Sequence, residues 1–206
     1  MGDQDVKTTI APPAYVRDSD LLGDALSVAA AAHRGQTRHD GSPYLGHPLR
    51  VCELLAETGA DEATLAAALL HDGVEDSELT VGDVAERFGL EVGELVGALT
   101  EDEGIDDWVE RKRGLRAQVE QAGQRAAAIY AADKLANLAE TQVMYEQRGE
   151  AAIDLHKAPS LDLRVEAWRD DLAMVERVAP GLELARGLRQ RLDAFAAQRA
   201  AAGSPI

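Results

Sequence analysis

The chain has 206 residues, with 21 lysines and arginines against 37 aspartates and glutamates, so its formal net charge is −16. This acidity argues against duplex nucleic acid and anionic membrane surfaces as partners, because both need clustered basic side chains. Hydrophobic residues make up 46% of the chain, which provides for a buried core and excludes wholesale disorder.

Residues 1–18 contain the pair Pro12-Pro13 and little periodicity, which predicts a flexible N-terminal arm before one domain over residues 19–206. Abundant alanine and leucine, few aromatics and no alternating strands predict an all-α bundle of roughly eight to ten helices. In chain order, the predicted helices cover about 19–34, 47–58, 63–72, 81–88, 91–100, 110–122, 124–146, 161–178 and 180–200. The apolar stripe of 182–196 predicts either core packing or a homodimer face.

The cysteine content and the chain's N-terminal segment favour a cytoplasmic location. The single cysteine, Cys52, excludes an intramolecular disulfide and suits a reducing compartment. The first twenty residues contain no apolar segment typical of a signal peptide. The apolar runs are also too short for a membrane span.

An imidazole and three carboxylates are concentrated in the segment HDGVED, residues 71–76. If a helix continues through this segment, His71 shares a face with Glu75, and Asp72 with Asp76, because residues four apart lie one turn away. Crowded carboxylates repel one another unless a proton or a cation neutralises them. The spacing therefore predicts a divalent metal site, whereas a lone His-Asp pair is more often an ordinary helix end.

Two distant residues extend this predicted site. His47 precedes Pro48 at the expected start of a helix, where its ring can point away from the helix, and the alternative is a capping or core histidine. Asp133 lies in the most apolar helix, and a buried carboxylate needs a partner or a cation. The alternative for Asp133 is an ion pair with Lys134 or a neighbouring arginine. Asn137 follows Asp133 by one turn on the same face.

Two imidazoles and two carboxylates are thus available, from His47, His71, Asp72 and Asp133. Mixed nitrogen and oxygen donors without a thiolate cluster suit Mn²⁺, Fe²⁺ or Mg²⁺ better than a structural Zn²⁺. Such a metal lowers the pKa of a bound water and polarises a phosphoryl oxygen. Glu75 and Asp76 would then orient that water or move its proton.

The chain resembles the HD-domain metal-dependent phosphohydrolases through an ordered set of segments: AHRGQTR, GSPYLGHPLRV, AALLHDGVEDS, FGLEVGELV, ERKR and ADKLANL. More narrowly, it is similar to the small alarmone hydrolases of the stand-alone Mesh1 type, which are related to the hydrolase domain of the Rel/SpoT enzymes. The likeness runs from about Ala29 to Asp170. This family removes the 3′-pyrophosphate of guanosine tetra- and pentaphosphate, and some members are reported to act on NADPH or adenosine analogues.

The resemblance implies a role for each matching residue. The Mn²⁺ ligands are matched by His47, His71, Asp72 and Asp133, and the pair that activates the attacking water is matched by Glu75 and Asp76. Asn137 matches a residue beside the ribose and the metal. The positions implied to bound the nucleotide are Arg38, followed by His39, and Arg164 with Trp168. In the basic segment ERKRGLR, Lys112 is a candidate phosphate contact, and the alternative is a solvated helix face.

Three departures from the family pattern concern the substrate. His39 stands where the family usually has lysine, and Ala139 replaces the last arginine of the motif DKLxNLR. The acidic segment EDEGIDDW, residues 101–108, replaces a loop in which the family carries a lysine aimed at a substrate phosphate. Carboxylates beside a pyrophosphate are electrostatically unfavourable, so we expect a weakened grip on a highly charged substrate.

Three functional hypotheses follow. The first is a Mn²⁺-dependent phosphohydrolase of small nucleotides, specifically a guanosine 3′,5′-bis(diphosphate) 3′-pyrophosphohydrolase. The second keeps the reaction class but assigns a less charged nucleotide, such as an adenosine-type alarmone, NADPH or a nucleoside monophosphate. The third is a non-catalytic helical regulatory module with a vestigial metal site.

Overall fold

The computed structural model describes residues 12–155 and 158–203, and over these residues it contains helices and no β-strand, which confirms the all-α prediction. The described helices are α1 (Ala14–Arg17), α2 (Asp20–Ala32), α3 (Gly46–Ala56), α4 (Glu62–Leu70), α5 (Gly73–Asp76), α6 (Val81–Phe88), α7 (Leu90–Leu99), α8 (Trp108–Ala122), α9 (Gln124–Arg148), a 3-10 helix (Gly149–Leu155), α10 (Leu161–Val178) and α11 (Glu183–Ala201). None of these helices is both long enough and apolar enough to cross a bilayer.

Helix α1 falls within the segment that the sequence predicts to be a flexible arm. Its Val16 side chain is fully buried, and α1 packs against α2. The side chain of Arg17 also donates a hydrogen bond to the carbonyl of Pro12 at 2.9 Å. The arm prediction is therefore wrong for residues 14–17, because burial of Val16 fixes them to the domain. Residues 1–11 lie outside the described residues, and the rest of the domain division stays a prediction.

Polar side chains begin several helices where the sequence predicts them to. The hydroxyl of Ser19 accepts the backbone N–H of Leu22 at the start of α2, and Asp61 caps α4 in the same way through Thr64. Thr80 and Asp83 form a reciprocal capping box at the start of α6. Each cap satisfies a backbone donor that the helix itself leaves unpaired, which contributes about 1 kcal/mol.

The core is built around α4 and α9. All side chains of α4 from Thr64 to Leu70 are buried, and α9 packs against α3, α4, α7, α8, α10 and α11. Both buried surfaces contain several alanines, and small side chains let helices approach closely. Asp133 therefore lies on a helix that is surrounded by protein in its first half. The apolar stripe of α11 is buried against α9 and α10, which confirms its core-packing interpretation.

The HDGVED segment does not form one continuous helix with α4, which corrects the expectation from its spacing. Helix α4 ends at Leu70, His71 is its C-terminal cap, and Asp72 is the N-terminal cap of α5. The His71 Nδ1–H donates to the carbonyl of Ala68 at 2.8 Å and competes with the backbone N–H of residue 72 for that acceptor. The helical relationship between Asp72 and Asp76 survives, because the N–H of Asp76 bonds the carbonyl of Asp72 at 3.1 Å.

Candidate active site

Four side chains from α3, the α4–α5 junction and α9 converge at one point. His47 Nε2 lies 3.0 Å from Asp133 Oδ1 and 3.6 Å from Asp72 Oδ2. His71 Nε2 lies 3.2 Å from Asp72 Oδ1 and 3.8 Å from Asp133 Oδ1. One donor atom each of His47, His71 and Asp133 lies within 4.8 Å of the others. These four residues, which are separated by up to 86 positions along the chain, thus form a single cluster.

The imidazole of His71 is oriented for coordination. Its Nδ1–H is held by the carbonyl of Ala68, so Nε2 is the ring nitrogen that faces the carboxylates of the cluster. His71 Nε2 is buried and makes no hydrogen bond to any described residue. Burial disfavours the charged ring, but the carboxylates of Asp72 and Asp133 raise the pKa of His71 to about 9. The cluster therefore stabilises positive charge at this position, which a divalent cation would supply in place of the proton.

Asp133 is held by both of its oxygens. Its Oδ2 accepts a hydrogen bond from Lys134 Nζ at 2.6 Å, and its Oδ1 accepts one from Asn137 Nδ2 at 2.6 Å. Burial would raise the pKa of Asp133, but Lys134 and His47 hold that pKa well below its usual range. The Lys134 ion pair anticipated from the sequence is therefore confirmed. It coexists with the contact between Asp133 and His47.

Asp72 is oriented by a tyrosine that the sequence analysis missed. The hydroxyl of Tyr44 donates to Asp72 Oδ2 at 2.8 Å. The Tyr44 ring packs against His33, with ring centroids 4.6 Å apart, and the Arg38 guanidinium lies 5.5 Å from its centroid. The only available signal was the position of Tyr44 three residues before His47, and that spacing alone does not identify a partner for Asp72.

Glu75 and Asp76 line the same cavity as the cluster. Glu75 is half-buried, and its Oε1 accepts the backbone N–H of Glu101 at 2.6 Å. Burial, together with the negative charges of Glu101 and Asp72, raises the pKa of Glu75 to about 7. A carboxylate with a pKa near neutrality can accept and return a proton at physiological pH. Asp76 is more exposed at the rim.

The cavity has a volume of about 550 Å³, and both acidic and basic side chains line it. The cluster and Glu75 contribute acidic side chains. Basic side chains contributed by α8, α9 and α10 lie on its wall, namely Arg111, Lys112, Lys134 and Arg164. The acidic segment 101–108 also reaches the cavity, through Glu101, Glu103 and Trp108. A negatively charged ligand could therefore contact the basic wall while one end reaches the cluster.

Glu101 neutralises part of this basic wall. Its carboxylate pairs with Arg111 Nε at 2.9 Å and contacts Lys112 Nζ. Lys112 Nζ also lies 5.8 Å from the centroid of the Trp108 ring. Lys112 thus lines the cavity, where the sequence placed it as a candidate phosphate contact, but it is already engaged by a carboxylate. Sequence reasoning treated 101–108 as a repulsive loop and missed these internal ion pairs.

The remaining predicted substrate contacts divide into two groups. Arg164 lines the cavity with only 4% of its surface exposed, and its Nε has no partner among the described residues. Trp168 is fully buried 4.7 Å beneath the Arg164 guanidinium and does not line the cavity, which corrects its predicted position. Its indole is used in the core, against Phe195.

Arg38 and His39 also lie off the main cavity. Arg38 forms an ion pair with Glu140 in an adjoining groove of about 290 Å³, which shares His47 with the main cavity. His39 is exposed and lines neither space. The substrate contact of His39 therefore stays a prediction. For Arg38 a role would require the ligand to extend into this adjoining groove.

The donor set fits a divalent cation. The unpartnered, buried Nε2 of His71 faces two carboxylates and a second imidazole, and thiolate ligands play no part. Cys52 is fully buried elsewhere, where its sulfur lies 3.9 Å from the Tyr15 hydroxyl. Nitrogen and oxygen donors without sulfur suit a hard or borderline divalent metal.

Comparison with known proteins agrees with this geometry. A family model described as an HD domain matches residues 25–157. The chain is 32% identical over 201 residues to the GTP pyrophosphokinase rsh of Brucella melitensis, covering 84% of this chain and 26% of the relative. This chain therefore spans about a quarter of the length of that relative.

A shorter relative and two solved structures match over most of their own length. The guanosine-3′,5′-bis(diphosphate) 3′-pyrophosphohydrolase MESH1 of Xenopus tropicalis is 38% identical over 125 residues, which cover 59% of this chain and 69% of the relative. The structure of a metazoan ortholog of SpoT that hydrolyses ppGpp superposes with a TM-score of 0.69 at 29% identity, covering 92% of this chain and 98% of that chain. The structure of lmo0812 from Listeria monocytogenes EGD-e gives a TM-score of 0.61 at 31% identity, with coverage of 71% and 99%.

The converging His and Asp side chains themselves indicate a divalent metal site. The HD-domain match covers the helices that supply all four of them, α3 to α9. The chain also covers more than two thirds of the MESH1 relative. This protein therefore belongs to the HD-domain family of divalent-metal proteins and, within it, to the group that includes MESH1.

Proposed function

We propose that this protein is a metal-dependent hydrolase that removes the 3′-pyrophosphate from guanosine tetra- or pentaphosphate. The observation that carries the proposal is the buried, unpartnered Nε2 of His71, which lies among two carboxylates and a second imidazole beside a cavity with a basic wall. The MESH1 relative and the SpoT-like structure, which are named for this hydrolysis, support the choice of substrate. A cytoplasmic location and a homodimer stay predictions.

The proposed metal is Mn²⁺, with Fe²⁺ and Mg²⁺ as the less favoured candidates. His47, His71, Asp72 and Asp133 would hold it. When bound, it supplies Lewis acidity toward a water and a phosphoryl oxygen. Tyr44 and Asn137 orient the two carboxylates through hydrogen bonds of 2.8 and 2.6 Å, so the donor atoms are held in position before any ligand arrives.

Glu75 is the proposed proton acceptor. Its Oε1 is occupied by the N–H of Glu101, which leaves Oε2 to take a proton from the attacking water. The water oxygen forms a bond to the 3′-linked phosphorus, and the bond from that phosphorus to the 3′-oxygen breaks. The proton is then available for the departing 3′-oxygen. The products are pyrophosphate and guanosine 5′-diphosphate from the tetraphosphate, or guanosine 5′-triphosphate from the pentaphosphate. Asp76, at the rim of the same cavity, would assist in moving that proton.

Arg164 is the proposed phosphate contact on the basic wall. Its guanidinium is buried at the cavity surface, and no carboxylate of the described residues neutralises it. Stacking on Trp168 at 4.7 Å fixes its plane. A buried arginine without a counterion is costly to the fold, and a phosphate would relieve that cost.

A second candidate substrate is a less charged nucleotide, such as NADPH, an adenosine-type alarmone or a nucleoside monophosphate. The observation that favours it is the engagement of Arg111 and Lys112 by Glu101, which leaves fewer cations for phosphate groups. The two candidates share the cluster and Glu75. They differ only in how many phosphate charges the basic wall must accept.

A substrate panel tests the proposal. Mn²⁺-loaded protein is assayed with guanosine tetraphosphate, guanosine pentaphosphate, NADPH and guanosine monophosphate, while pyrophosphate and phosphate release are both followed. We expect pyrophosphate release from the tetra- and pentaphosphate, and its loss in Asp72→Ala and His71→Ala variants that stay folded. Release of phosphate from another nucleotide alone would favour the second candidate. A metal-loaded protein that hydrolyses none of them would contradict the proposed activity and favour a non-catalytic regulatory module.

A further inference from the structure

Three of the four basic side chains on the cavity wall are already engaged by carboxylates of the chain itself. Lys134 pairs with Asp133 at 2.6 Å, and Arg111 and Lys112 both pair with Glu101. Over the described residues, Arg164 is the member of this wall without a carboxylate partner. Fewer basic side chains are therefore available to bind a ligand phosphate than the number that line the cavity.

Glu101 is positioned between the basic wall and the proposed proton acceptor. It lies directly after α7, with its side chain 14% exposed, and its backbone N–H donates to Glu75 Oε1 at 2.6 Å. Its two carboxylate oxygens contact different cations, Oε2 that of Arg111 and Oε1 that of Lys112. This arrangement matches the way in which two basic side chains would hold the oxygens of one phosphate group.

The carboxylate of Glu101 stays ionised in this environment. Burial would raise its pKa, but the charges of Lys112 and Lys134 hold that pKa below its usual range. An ionised carboxylate at this place both occupies the donors of Arg111 and Lys112 and repels an incoming phosphate. The repulsion grows with the number of charges on the ligand, so it penalises a polyphosphate more than a monophosphate.

We propose that Glu101 is a specificity-determining residue, whose carboxylate occupies an anion subsite formed by Arg111 and Lys112 and competes there with a phosphate group of the ligand. This inference rests on the proposed function only for the identity of the substrate. The subsite itself is defined by the ion pairs of Glu101. Glu101 would therefore favour ligands with fewer phosphate charges than Arg111 and Lys112 would accept in its absence.

The direct test is pyrophosphate binding to the Glu101→Gln variant. Mn²⁺-loaded protein, dialysed free of excess metal, is titrated with inorganic pyrophosphate in a calorimeter. Glutamine keeps the size of the side chain and leaves the backbone N–H to Glu75 in place, but it releases the charges of Arg111 and Lys112. We expect pyrophosphate to bind at least about tenfold more tightly to the variant than to the wild type.

Glu120→Gln is the matched control. Glu120 pairs with Arg177 at 3.0 Å on an exposed surface, so the same substitution removes one ion pair away from the cavity. We expect the control to bind pyrophosphate as the wild type does. Equal or weaker pyrophosphate binding by a folded Glu101→Gln variant would overturn the proposal.

Two further measurements separate this inference from the proposed function. If Glu101→Gln does not fold, Glu101→Asp withdraws the carboxylate by one methylene, and we expect at least a two- to threefold gain in pyrophosphate affinity, with no gain contradicting the proposal. In turnover assays, Glu101→Gln should lower KM for guanosine tetraphosphate. Absence of turnover in every variant would contradict the proposed function, whereas the binding comparison would still decide the role of Glu101.

Discussion

The hydroxyl of Tyr44 donates a hydrogen bond to Asp72 Oδ2 at 2.8 Å, across 28 residues of chain. Because the opposite oxygen of Asp72 lies 3.2 Å from His71 Nε2, Tyr44 fixes the direction in which this carboxylate faces the cluster. Hydrogen-bond partners of metal-binding side chains typically contribute about 10- to 100-fold to metal affinity or activity.

Tyr44→Phe should therefore weaken metal binding without unfolding the protein. We expect Mn²⁺ affinity to fall by about 10- to 100-fold, and hydrolysis at limiting metal to fall with it. Excess Mn²⁺ should restore most of the activity. Tyr15→Phe is the control, because the Tyr15 hydroxyl contacts Cys52 instead of the cluster. Unchanged Mn²⁺ affinity in Tyr44→Phe would show that Asp72 needs no such support.

Arg164 and Arg199 are both buried arginines, but only Arg199 has carboxylate partners. Arg199 pairs with Glu150 and Asp162 at 3.0 and 2.8 Å, whereas Arg164 has none among the described residues. Arg164→Met should leave the melting temperature unchanged or raise it, because an unpaired buried charge is costly, and should raise KM by about tenfold or more.

Arg199→Met should do the opposite, with about 1–3 kcal/mol of stability lost and KM unchanged. Two measurements on both variants distinguish a role in ligand binding from a role in stability. They are thermal unfolding, monitored by circular dichroism, and steady-state kinetics. A large loss of stability in Arg164→Met with unaltered KM would assign Arg164 to the core.

The raised pKa of Glu75 makes the stability of the folded protein fall as the pH rises. Its pKa rises from the ordinary value of 4.5 to about 7 on folding, mainly because of burial. The folded protein therefore holds a proton that the unfolded chain has released, and stability from this group falls as pH rises from about 4.5 through 7. The cost at pH 8 is on the order of 1–3 kcal/mol.

Glu75→Gln removes that cost. In metal-free protein we expect its melting temperature to exceed that of the wild type by several degrees at pH 8, and the difference to shrink at pH 5. The same variant should lose about 10²- to 10⁴-fold in hydrolysis when loaded with metal, since it cannot accept a proton. A difference in melting temperature that is the same at both pH values would contradict the raised pKa.

Local sequence signals predicted the helices and the cluster well. The Thr80–Asp83 capping box and the caps at Ser19 and Asp61 are short-range features, so the sequence contains everything that defines them. The convergence of His47 with Asp133 was predictable because a buried polar side chain in an apolar helix needs a polar or charged partner. No short sequence feature of this kind identifies the nucleotide that the protein binds.

The positions that sequence reasoning missed depend on tertiary packing. The Tyr44 hydroxyl meets Asp72 across 28 residues, and Glu101 meets Arg111 only when the segment after α7 packs on α8. Trp168 is buried behind Arg164 only when α10 packs against Phe195 of α11. The sequence analysis treated the carboxylates of 101–108 as facing the substrate, whereas Glu101 pairs with Arg111 and Lys112 a few positions later. Helix boundaries near residue 71 shifted because a side chain competed for a backbone carbonyl.

The most direct test of the central claim is the metal content of four proteins after loading with Mn²⁺ and dialysis. The claim is that residues from α3, the α4–α5 junction and α9 hold one divalent cation together. We predict about one equivalent of Mn²⁺ in the wild type and in His39→Ala, whose imidazole is exposed, but far less in folded His47→Ala and Asp133→Ala. Full metal content in both cluster variants, or none in the wild type, would contradict the account.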